Sequence, residues 1–313
     1  MLIVDDIQTL RARLAEWRRE NLRIALVPTM GNLHAGHHRL IERGRTRADR
    51  VVVSVFVNPM QFDRAEDLAA YPRTMDADLA QLRELKTDLA FAPASDTIYP
   101  QGMENAARVV VPRLSDILEG ESRPGHFVGV ATVVAKLFNM VQPDAAVFGE
   151  KDYQQLLVIR RLVAELNFAV EIEGLPTVRE PDGLAMSSRN RNLDADERNR
   201  APRLYACLRA LGDRIRDGER DFDRLQARFM HELSAQGLRP DYVSVRDAVD
   251  LSVPNPQSVD LVLLGATWLG RTRLIDNIRV TLMDSHLSSI IRRSSAAGPT
   301  TDAQPSTHMR KHT

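Results

Sequence analysis

Apolar residues follow two alternating patterns along the first half of the chain, one typical of helices and one typical of buried strands. Ile7 to Arg19 carries apolar residues at helical spacing, with Arg and Glu between them, and this predicts an amphipathic opening helix. Ile24 to Val27 and Val51 to Val57 are short, nearly continuous apolar runs, which are typical of strands buried on both faces of a parallel sheet. Strands that alternate with helices through about residue 170 predict a Rossmann-like, doubly wound α/β sheet.

The same patterns predict the elements downstream. Helices are expected over residues 76–86, 130–141, 153–166, 195–216 and 223–236, and strands over 89–92, 145–148, 170–175, 242–246, 261–267 and 272–280. The last three strands and the two helices before them predict a small α+β domain. We therefore expect a first domain over residues 1–175 and a lid domain over 176–283. Residues 284–313 are rich in Ser, Thr, Pro and basic residues, which predicts a disordered tail.

Composition narrows the class of protein. A length of 313 residues makes two domains the default expectation. The 42 basic and 42 acidic residues cancel, which argues against binding to nucleic acid or to an anionic membrane through bulk charge. Cys207 is the one cysteine of the chain, so an intrachain disulfide framework is excluded. With no apolar run of membrane-spanning length and no basic start to a signal peptide, we expect a cytoplasmic protein.

The stretch ALVPTMGNLHAGHHR, from Ala25 to Arg39, is the strongest candidate for chemistry. A strand, a glycine turn and a helix in this order bring unpaired backbone N–H groups to one point, where an anion can bind. The stretch fits neither the Walker pattern nor the dinucleotide fingerprint. It offers His34 and His37, which share a face if the segment is helical and can then donate to one group of oxygens. Taken alone, two histidines at this spacing are more often ordinary surface residues than ligand-binding ones. A zinc site with His38 is a further alternative, but it lacks a third ligand.

Two more loops follow strands at the edge where open α/β sheets bind their ligands. Asn58-Pro59-Met60-Gln61-Phe62 follows the strand that starts at Val51, so Asn58 and Gln61 are candidates for substrate contact. A turn formed by Asn-Pro explains the same residues without a ligand. Residues 149–152 form a second phosphate-like junction between a strand and the helix that carries Gln154 and Gln155.

Other candidates are weaker when each is taken singly. Ser187, Ser188 and Arg189 lie in a loop rich in glycine and proline, where hydroxyls and a guanidinium can clamp phosphate oxygens. Such loops are also common without any ligand. His126 is assigned a structural role. The carboxylates of residues 76 and 78 follow the motif YPRT, but no magnesium ligand is assigned among them.

Five motifs carry a resemblance to a known family. PTMGNLHAGH, FVNPMQF, YPRT, FGEKDYQQL and LAMSSRN occur in the order and approximate spacing of the pantothenate synthetases, the pantoate–β-alanine ligases. The HAGH element also resembles the signature of the wider nucleotidyltransferase group that includes class I aminoacyl-tRNA synthetases, which implies a HIGH-type nucleotidyltransferase fold. The resemblance implies that pantoate attacks ATP to give an enzyme-bound pantoyl adenylate and pyrophosphate. The amine of β-alanine then attacks the adenylate, giving pantothenate and AMP.

The resemblance also implies roles for individual residues. His37, His34 and Lys151 are the implied catalytic residues, and Gln61 and Gln155 are expected to hold pantoate, with Gln61 also near β-alanine. The implied ATP site comprises Met30, Gly31, Asn32, Leu33, His34, Ala35, Gly36, His37, Gly149, Glu150, Lys151, Asp152, Val178, Met186, Ser187, Ser188 and Arg189. Mg²⁺ is implied by ATP chemistry, with its ligands unassigned, and a homodimer is implied by the family.

Two other functions compete with this interpretation. A nucleotidyltransferase that passes AMP to a phosphorylated acceptor is expected to place extra cationic residues where this chain has Gln61 and Gln155. A non-catalytic nucleotide-binding protein on the same fold is expected to lose the phosphate donors. All four are present in this chain: His34, His37, Lys151 and Arg189.

Overall fold

The computed structural model describes residues 1–255 and 257–282. The tail predicted over 284–313 and the last residue of the predicted lid domain therefore lie outside the described residues. Within the described ranges the strands are β1 (Leu2–Val4), β2 (Ile24–Thr29), β3 (Arg50–Val55), β4 (Leu89–Phe91), β5 (Ala145–Gly149), β6 (Glu171–Leu175), β7 (Arg239–Asp247), β8 (Asp260–Leu269) and β9 (Thr272–Thr281). The helices are α1 (Ile7–Arg19), α2 (Ala35–Arg47), α3 (Ala65–Ala70), α4 (Met75–Glu84), α5 (Ser95–Ile98), α6 (Glu119–Ser122), α7 (His126–Val141), α8 (Tyr153–Glu165), α9 (Ala195–Arg200), α10 (Arg203–Arg216) and α11 (Phe222–Ala235).

The first six strands form one sheet in the order β1-β4-β3-β2-β5-β6, and every pairing in it is parallel. The predicted doubly wound α/β sheet is thereby confirmed. After β2 the chain builds outward through β3 and β4, and it then returns to place β5 on the other side of β2. The strand order therefore reverses between β2 and β5. Open α/β sheets bind ligands at the carboxyl ends of the strands that flank such a switch point.

Alternate residues of the central strands pack on opposite faces of the sheet. Ile24 and Leu26 of β2 belong to a core that also holds buried residues of α1, α7 and α8. Ala25 and Val27 belong to a second core with residues of α2 and α4. Because both faces are covered, these strands read as continuous apolar runs in the sequence.

The last three strands form an antiparallel sheet in the order β7-β8-β9, which packs against α10 and α11. The first sheet ends at Leu175, and we propose that this is the boundary between the two units. The boundary is not a gap in the packing, because Ala248, Leu251, Val262 and Leu264 join the core of the parallel sheet.

The prediction of one continuous helix over residues 195–216 was wrong. The segment expected as a single helix over 195–216 is divided into α9 and α10, with Pro202 between them. Proline has no N–H to donate and its ring clashes with the preceding turn of a helix, so a break at this position is expected on physical grounds. Strand β1 and the short helices α3, α5 and α6 were not predicted, and α7 begins four residues earlier than expected.

Helix α7 lies unusually close to the turn that contains Gln61. A Cβ added to Gly129 would lie 2.5 Å from the carbonyl carbon and oxygen of Met60. The Asn58 side-chain amide donates to Gly129 O at 3.1 Å and so joins the turn to the helix. Since glycine allows this approach, the packing of α7 sets the position of the Gln61 turn.

Gly129→Ala is therefore expected to destabilise the protein by about 1 to 3 kcal/mol through overpacking. Gly44→Ala is the matched control, because Gly44 is also inside a helix but its added Cβ would meet Val27 at an ordinary 3.5 Å. That control should gain roughly 0.5 to 1 kcal/mol from helix propensity. Urea denaturation measures both changes, and equal unfolding midpoints for the two variants would contradict the packing described here.

Candidate active site

A cleft opens at the carboxyl ends of β2 and β5 and extends toward the antiparallel sheet. It has an inner compartment of about 240 Å³ and an outer compartment of about 430 Å³. The side chains that line both compartments are Phe62, Tyr71, Arg123, His126, Lys151, Asp152, Gln155, Ser187, Ser188 and Arg189. Residues from three predicted loops, 58–62, 149–152 and 187–189, thus meet at one place, and the histidine turn joins them in the inner compartment.

A buried carboxylate holds the turn between β2 and α2. Asp78, which is 1% exposed, accepts backbone N–H groups of Asn32 and Leu33, each at 2.8 Å. Thr74 donates its hydroxyl to the same carboxylate at 3.0 Å. Gly31 has φ +74° and an added Cβ would lie 2.9 Å from an Asp78 oxygen, so the turn requires glycine on both counts. An acidic residue that had no expected role therefore shapes the histidine turn.

Backbone hydrogen bonds fix the orientation of both histidine rings. His34 caps α2 and accepts the Gly36 N–H on Nδ1 at 3.1 Å. His37 accepts the His34 N–H on its own Nδ1 at 3.3 Å. A neutral imidazole that accepts on Nδ1 carries its proton on Nε2, so each ring is left with an Nε2–H donor. The ring centroids are 4.1 Å apart and both rings line the inner compartment.

Both histidines are neutral near pH 7. Burial, reinforced by the positive charge of Lys151, lowers the pKa of His34 to about 4. Burial, reinforced by His34, lowers the pKa of His37 to about 3. The cleft therefore presents two neutral hydrogen-bond donors, with the positive charge supplied by other residues.

The turn after β5 places a cation in the compartment that the histidines line. Lys151 and Asp152 line both compartments, and Lys151 Nζ lies 3.8 Å from an Asp152 carboxylate oxygen. Burial alone would raise the pKa of Asp152, but Lys151 and Arg189 outweigh it and the pKa is lowered. Gly149 borders the inner compartment, whereas Glu150 lies outside the lining of both.

A short hairpin forms the third wall of the cleft. Met186 N donates to Val178 O at 2.9 Å, and both residues line the inner compartment. Ser187 accepts the Arg189 N–H at 3.3 Å and so caps the turn that follows. The Ser188 hydroxyl donates to Asn32 O at 3.4 Å, which connects the hairpin to the histidine turn.

Two amide side chains face the inner compartment from separate elements. Gln61, which is 7% exposed, accepts the Asn58 amide on its side-chain oxygen at 3.1 Å. Gln155 projects from the first turn of α8. Part of the wall beside them is apolar and comprises Val130, Val133, Val134 and Leu137 of α7.

Asn58 and His126 support Gln61. The Asn58 amide also bonds Gly129 O, and its oxygen accepts the Tyr99 hydroxyl at 2.7 Å. His126 lies 2.8 Å from Gln61 O through Nδ1, and burial followed by Arg123 lowers the pKa of His126 to about 4. The hydrogen-bonded role expected for His126 matches these contacts, although the ring also borders the cleft.

Several residues of the cleft were missed by sequence reasoning. Arg123 donates to Gln61 O at 3.3 Å and lies 3.5 Å from an Asp63 oxygen. Arg273 binds Glu119 through two hydrogen bonds at 2.6 and 2.8 Å. Neither arginine occurs in a sequence pattern that indicates a ligand, because each acquires its partner through the tertiary fold. The burial of Asp78 was detectable, since it shares a helical face with Leu82.

Some residues of the predicted ATP site lie behind the cleft wall. Gly31, Asn32 and Leu33 are buried and shape the turn, and Ala35 does not line either compartment.

Within residues 1–255 and 257–282, there is no group of three or more His, Cys, Asp or Glu side chains that could hold a metal ion. The same ranges include no helix that is both long and apolar enough to cross a membrane.

Comparison with known proteins gives consistent matches over this whole region. A family model described as pantoate-beta-alanine ligase matches residues 2–279. A pantothenate synthetase from Thioalkalivibrio sulfidiphilus is 58% identical over 285 residues, covering 91% of this chain and all of the relative. The crystal structure of pantothenate synthetase from Thermus thermophilus superposes with a TM-score of 0.82 at 44% identity, over 89% of this chain and 99% of that one. A pantoate-beta-alanine ligase from Francisella tularensis, complexed with beta-gamma ATP and β-alanine, gives a TM-score of 0.76 at 35% identity, over 89% and 97% of the two chains.

The ionisation of the two histidines can be measured directly. We expect the Cε1–H signals of His34 and His37 to keep neutral-ring shifts between about pH 5.5 and 8, where an unperturbed histidine titrates. Because folding lowers both pKa values from 6.5, protons favour the unfolded chain, and this pair should destabilise the fold as the pH falls below that value. NMR titration, with assignment by His34→Gln and His37→Gln, checks the first statement, and urea denaturation at several pH values checks the second. A midpoint near 6.5 for either ring would contradict the geometry.

Proposed function

The chain belongs to the pantoate–β-alanine ligase family, and we propose how its cleft carries out the reaction of that family. The reaction is the ATP-dependent condensation of pantoate with β-alanine. We infer two steps. A pantoate carboxylate oxygen first bonds to the α-phosphorus of ATP as the bond to the bridging oxygen breaks and pyrophosphate leaves. The β-alanine amine then bonds to the acyl carbon, AMP leaves, and the nitrogen loses a proton.

One observation carries the proposal for the first step. The rings of His34 and His37, each with an Nε2–H donor, line the same compartment as the Lys151 turn and the Ser187–Arg189 hairpin. Negative charge grows on phosphate oxygens as pyrophosphate departs, and donors already in place stabilise it without reorganisation. The pantoate carboxylate is a nucleophile in its ordinary ionised form, so this step requires no base and no covalent enzyme intermediate.

Neutral histidines suit this task. Each can donate a hydrogen bond from Nε2 at the pH where ATP is fully ionised, while Lys151 and Arg189 neutralise charge. The bound polyphosphate would also raise the pKa of both rings from their low values, because a nearby anion favours the imidazolium. We propose that the pair acts mainly as hydrogen-bond donors to the departing phosphates.

We propose that Gln61 and Gln155 hold pantoate, with its two methyl groups against the valines of α7. Amides can orient a carboxylate while leaving it reactive, whereas a bidentate arginine would stabilise its ground state more strongly. The apolar wall at Val130, Val133 and Val134 adjoins both amides in the inner compartment. Gln61 also lies near the outer compartment through Phe62 and His126, which suits a role close to β-alanine.

The described residues do not provide a cage for Mg²⁺. The Asp78 carboxylate already accepts two backbone N–H groups and the Thr74 hydroxyl, and residues 1–255 and 257–282 offer no cluster of three acidic or histidine ligands. Mg²⁺ bound through substrate phosphates and water needs few protein ligands. We therefore propose that it enters with ATP and is held chiefly by the phosphates.

We also propose a cytoplasmic homodimer. ATP as a substrate and Cys207 as a free, buried thiol are in keeping with a reducing compartment that contains nucleotides. Dimerisation follows from the family resemblance, and light scattering on the purified protein measures it.

ATP–pyrophosphate exchange tests the first step. We expect exchange that depends on pantoate, and AMP formation once β-alanine is added. His34→Ala and His37→Ala should each lower exchange by roughly 10² to 10³-fold, the typical cost of losing one transition-state donor. Both variants should largely retain the attack of β-alanine on supplied pantoyl adenylate. Exchange that does not depend on pantoate would refute the function. Equal loss of rate in both half-reactions of the histidine variants would refute the role given to the histidines.

A charge placed at Gln155 tests the pantoate site. Gln155→Glu should raise the KM for pantoate strongly, because two carboxylates would then face each other, while the KM for ATP changes little. Gln8→Glu introduces the same charge at an exposed position near the start of α1 and serves as the control. Steady-state kinetics with each substrate varied in turn gives both values. Unchanged pantoate kinetics in Gln155→Glu would count against the assignment.

A further inference from the structure

The antiparallel sheet contacts the turn that carries Lys151. The Asn277 side-chain amide, on β9, donates to Glu150 O and to Lys151 O, each at 2.9 Å. Asn277 is 7% exposed, so water does not readily replace these bonds. Two successive carbonyl groups of the short turn thus share one donor from a distant strand.

The neighbouring residue on β9 holds the hairpin wall of the cleft. Asp276 receives two hydrogen bonds from Arg179, at 2.6 and 2.9 Å. Arg179 also donates to Gly183 O at 3.1 Å and lies over the Tyr205 ring, with 3.6 Å between its Cζ and the ring centroid. Since Arg179 pairs with Ala185 across the hairpin, the hairpin is tied to β9 at its base.

Two consecutive residues of one strand therefore hold two walls of the cleft. A strand rises only about 3.3 Å per residue and is stiff when paired in a sheet, so it sets the spacing between the walls it contacts. A further hydrogen bond reinforces the arrangement. Tyr153, which directly follows the Lys151 turn, donates its hydroxyl to Ala248 O at 2.8 Å. A rigid support of this kind is what charge stabilisation at phosphate oxygens requires.

We propose that Asn277 is a positioning residue that sets the location of Lys151 for adenylate formation. This inference rests on the role proposed for Lys151. The antiparallel sheet is then a support for the phosphate site as well as a lid over it. Any displacement of β9 relative to the parallel sheet either carries the Lys151 turn along or breaks both hydrogen bonds.

The substitution Asn277→Asp tests this role with almost no change of shape. A carboxylate cannot donate to the two carbonyl oxygens and repels them, so the Lys151 turn should shift. Because a misplacement of about 1 Å can cost on the order of 10²-fold in rate, pantoate-dependent exchange should fall by roughly 10 to 100-fold. The attack of β-alanine on supplied pantoyl adenylate should change far less. Asn277→Ala removes the donor without adding charge and should act in the same direction.

Two further variants make the result specific. Arg279→Ala is the matched control, because Arg279 lies on the same strand, pairs with Asp260 at the surface and does not line either compartment. It should leave exchange unchanged. Lys151→Ala combined with Asn277→Asp completes a double-mutant cycle. If Asn277 acts through Lys151, the double variant should exchange no more slowly than Lys151→Ala alone.

The outcomes separate the inference from the proposed function. Loss of exchange in Lys151→Ala with normal exchange in both Asn277 variants overturns the inference alone. Normal exchange in Lys151→Ala overturns the role of Lys151 and the inference with it. If the losses of exchange in the two single variants multiply in the double variant, Asn277 acts independently of Lys151 and the inference is wrong. Equal loss of rate in both half-reactions leads to the same conclusion. Failure of both Asn277 variants to fold, judged by circular dichroism, shows a purely structural residue, and the proposal is then wrong.

Discussion

Two hydrogen bonds from backbone N–H groups to imidazole Nδ1 atoms determine what the cleft can do. They leave His34 and His37 each with an Nε2–H donor on a ring that lines the inner compartment, while burial keeps both rings neutral. The start of α2 holds these bonds in place, and Asp78 in turn holds the backbone that leads into α2. A carboxylate 46 residues from Asn32 in sequence thus controls the geometry of the phosphate donors.

The strand order explains why separate loops converge on these rings. The switch point between β2 and β5 places the histidine turn beside the Lys151 turn, and the hairpin reaches the same place from the junction with the antiparallel sheet. The antiparallel sheet shares core residues with the parallel one, so the two units support one site. That shared packing allows β9 to bond the Lys151 turn through Asn277.

The sequence predicted the elements whose burial leaves a strong local pattern, and it predicted which loops would meet. Strand β3 and helix α1 show this, because one is buried on both faces and the other on one stripe. The contacts of Asp78 with Asn32 and of Asn277 with the Lys151 turn join positions far apart in the chain, and no local pattern marks them. Pro202 is present in the sequence, but the apolar periodicity continues across it, so the pattern predicted one helix where the structure has α9 and α10. The roles of the site residues stay predictions until they are tested.

A crystal structure of the protein with pantoate and a non-hydrolysable ATP analogue tests the central claim most directly. The polyphosphate should lie between the three walls, with phosphate oxygens about 2.7 to 3.2 Å from Nε2 of His34 and of His37. Lys151 should contact phosphate oxygens of the same polyphosphate. A polyphosphate bound elsewhere in the cleft, or imidazoles turned so that Nδ1 faces the phosphates, would contradict the arrangement described here.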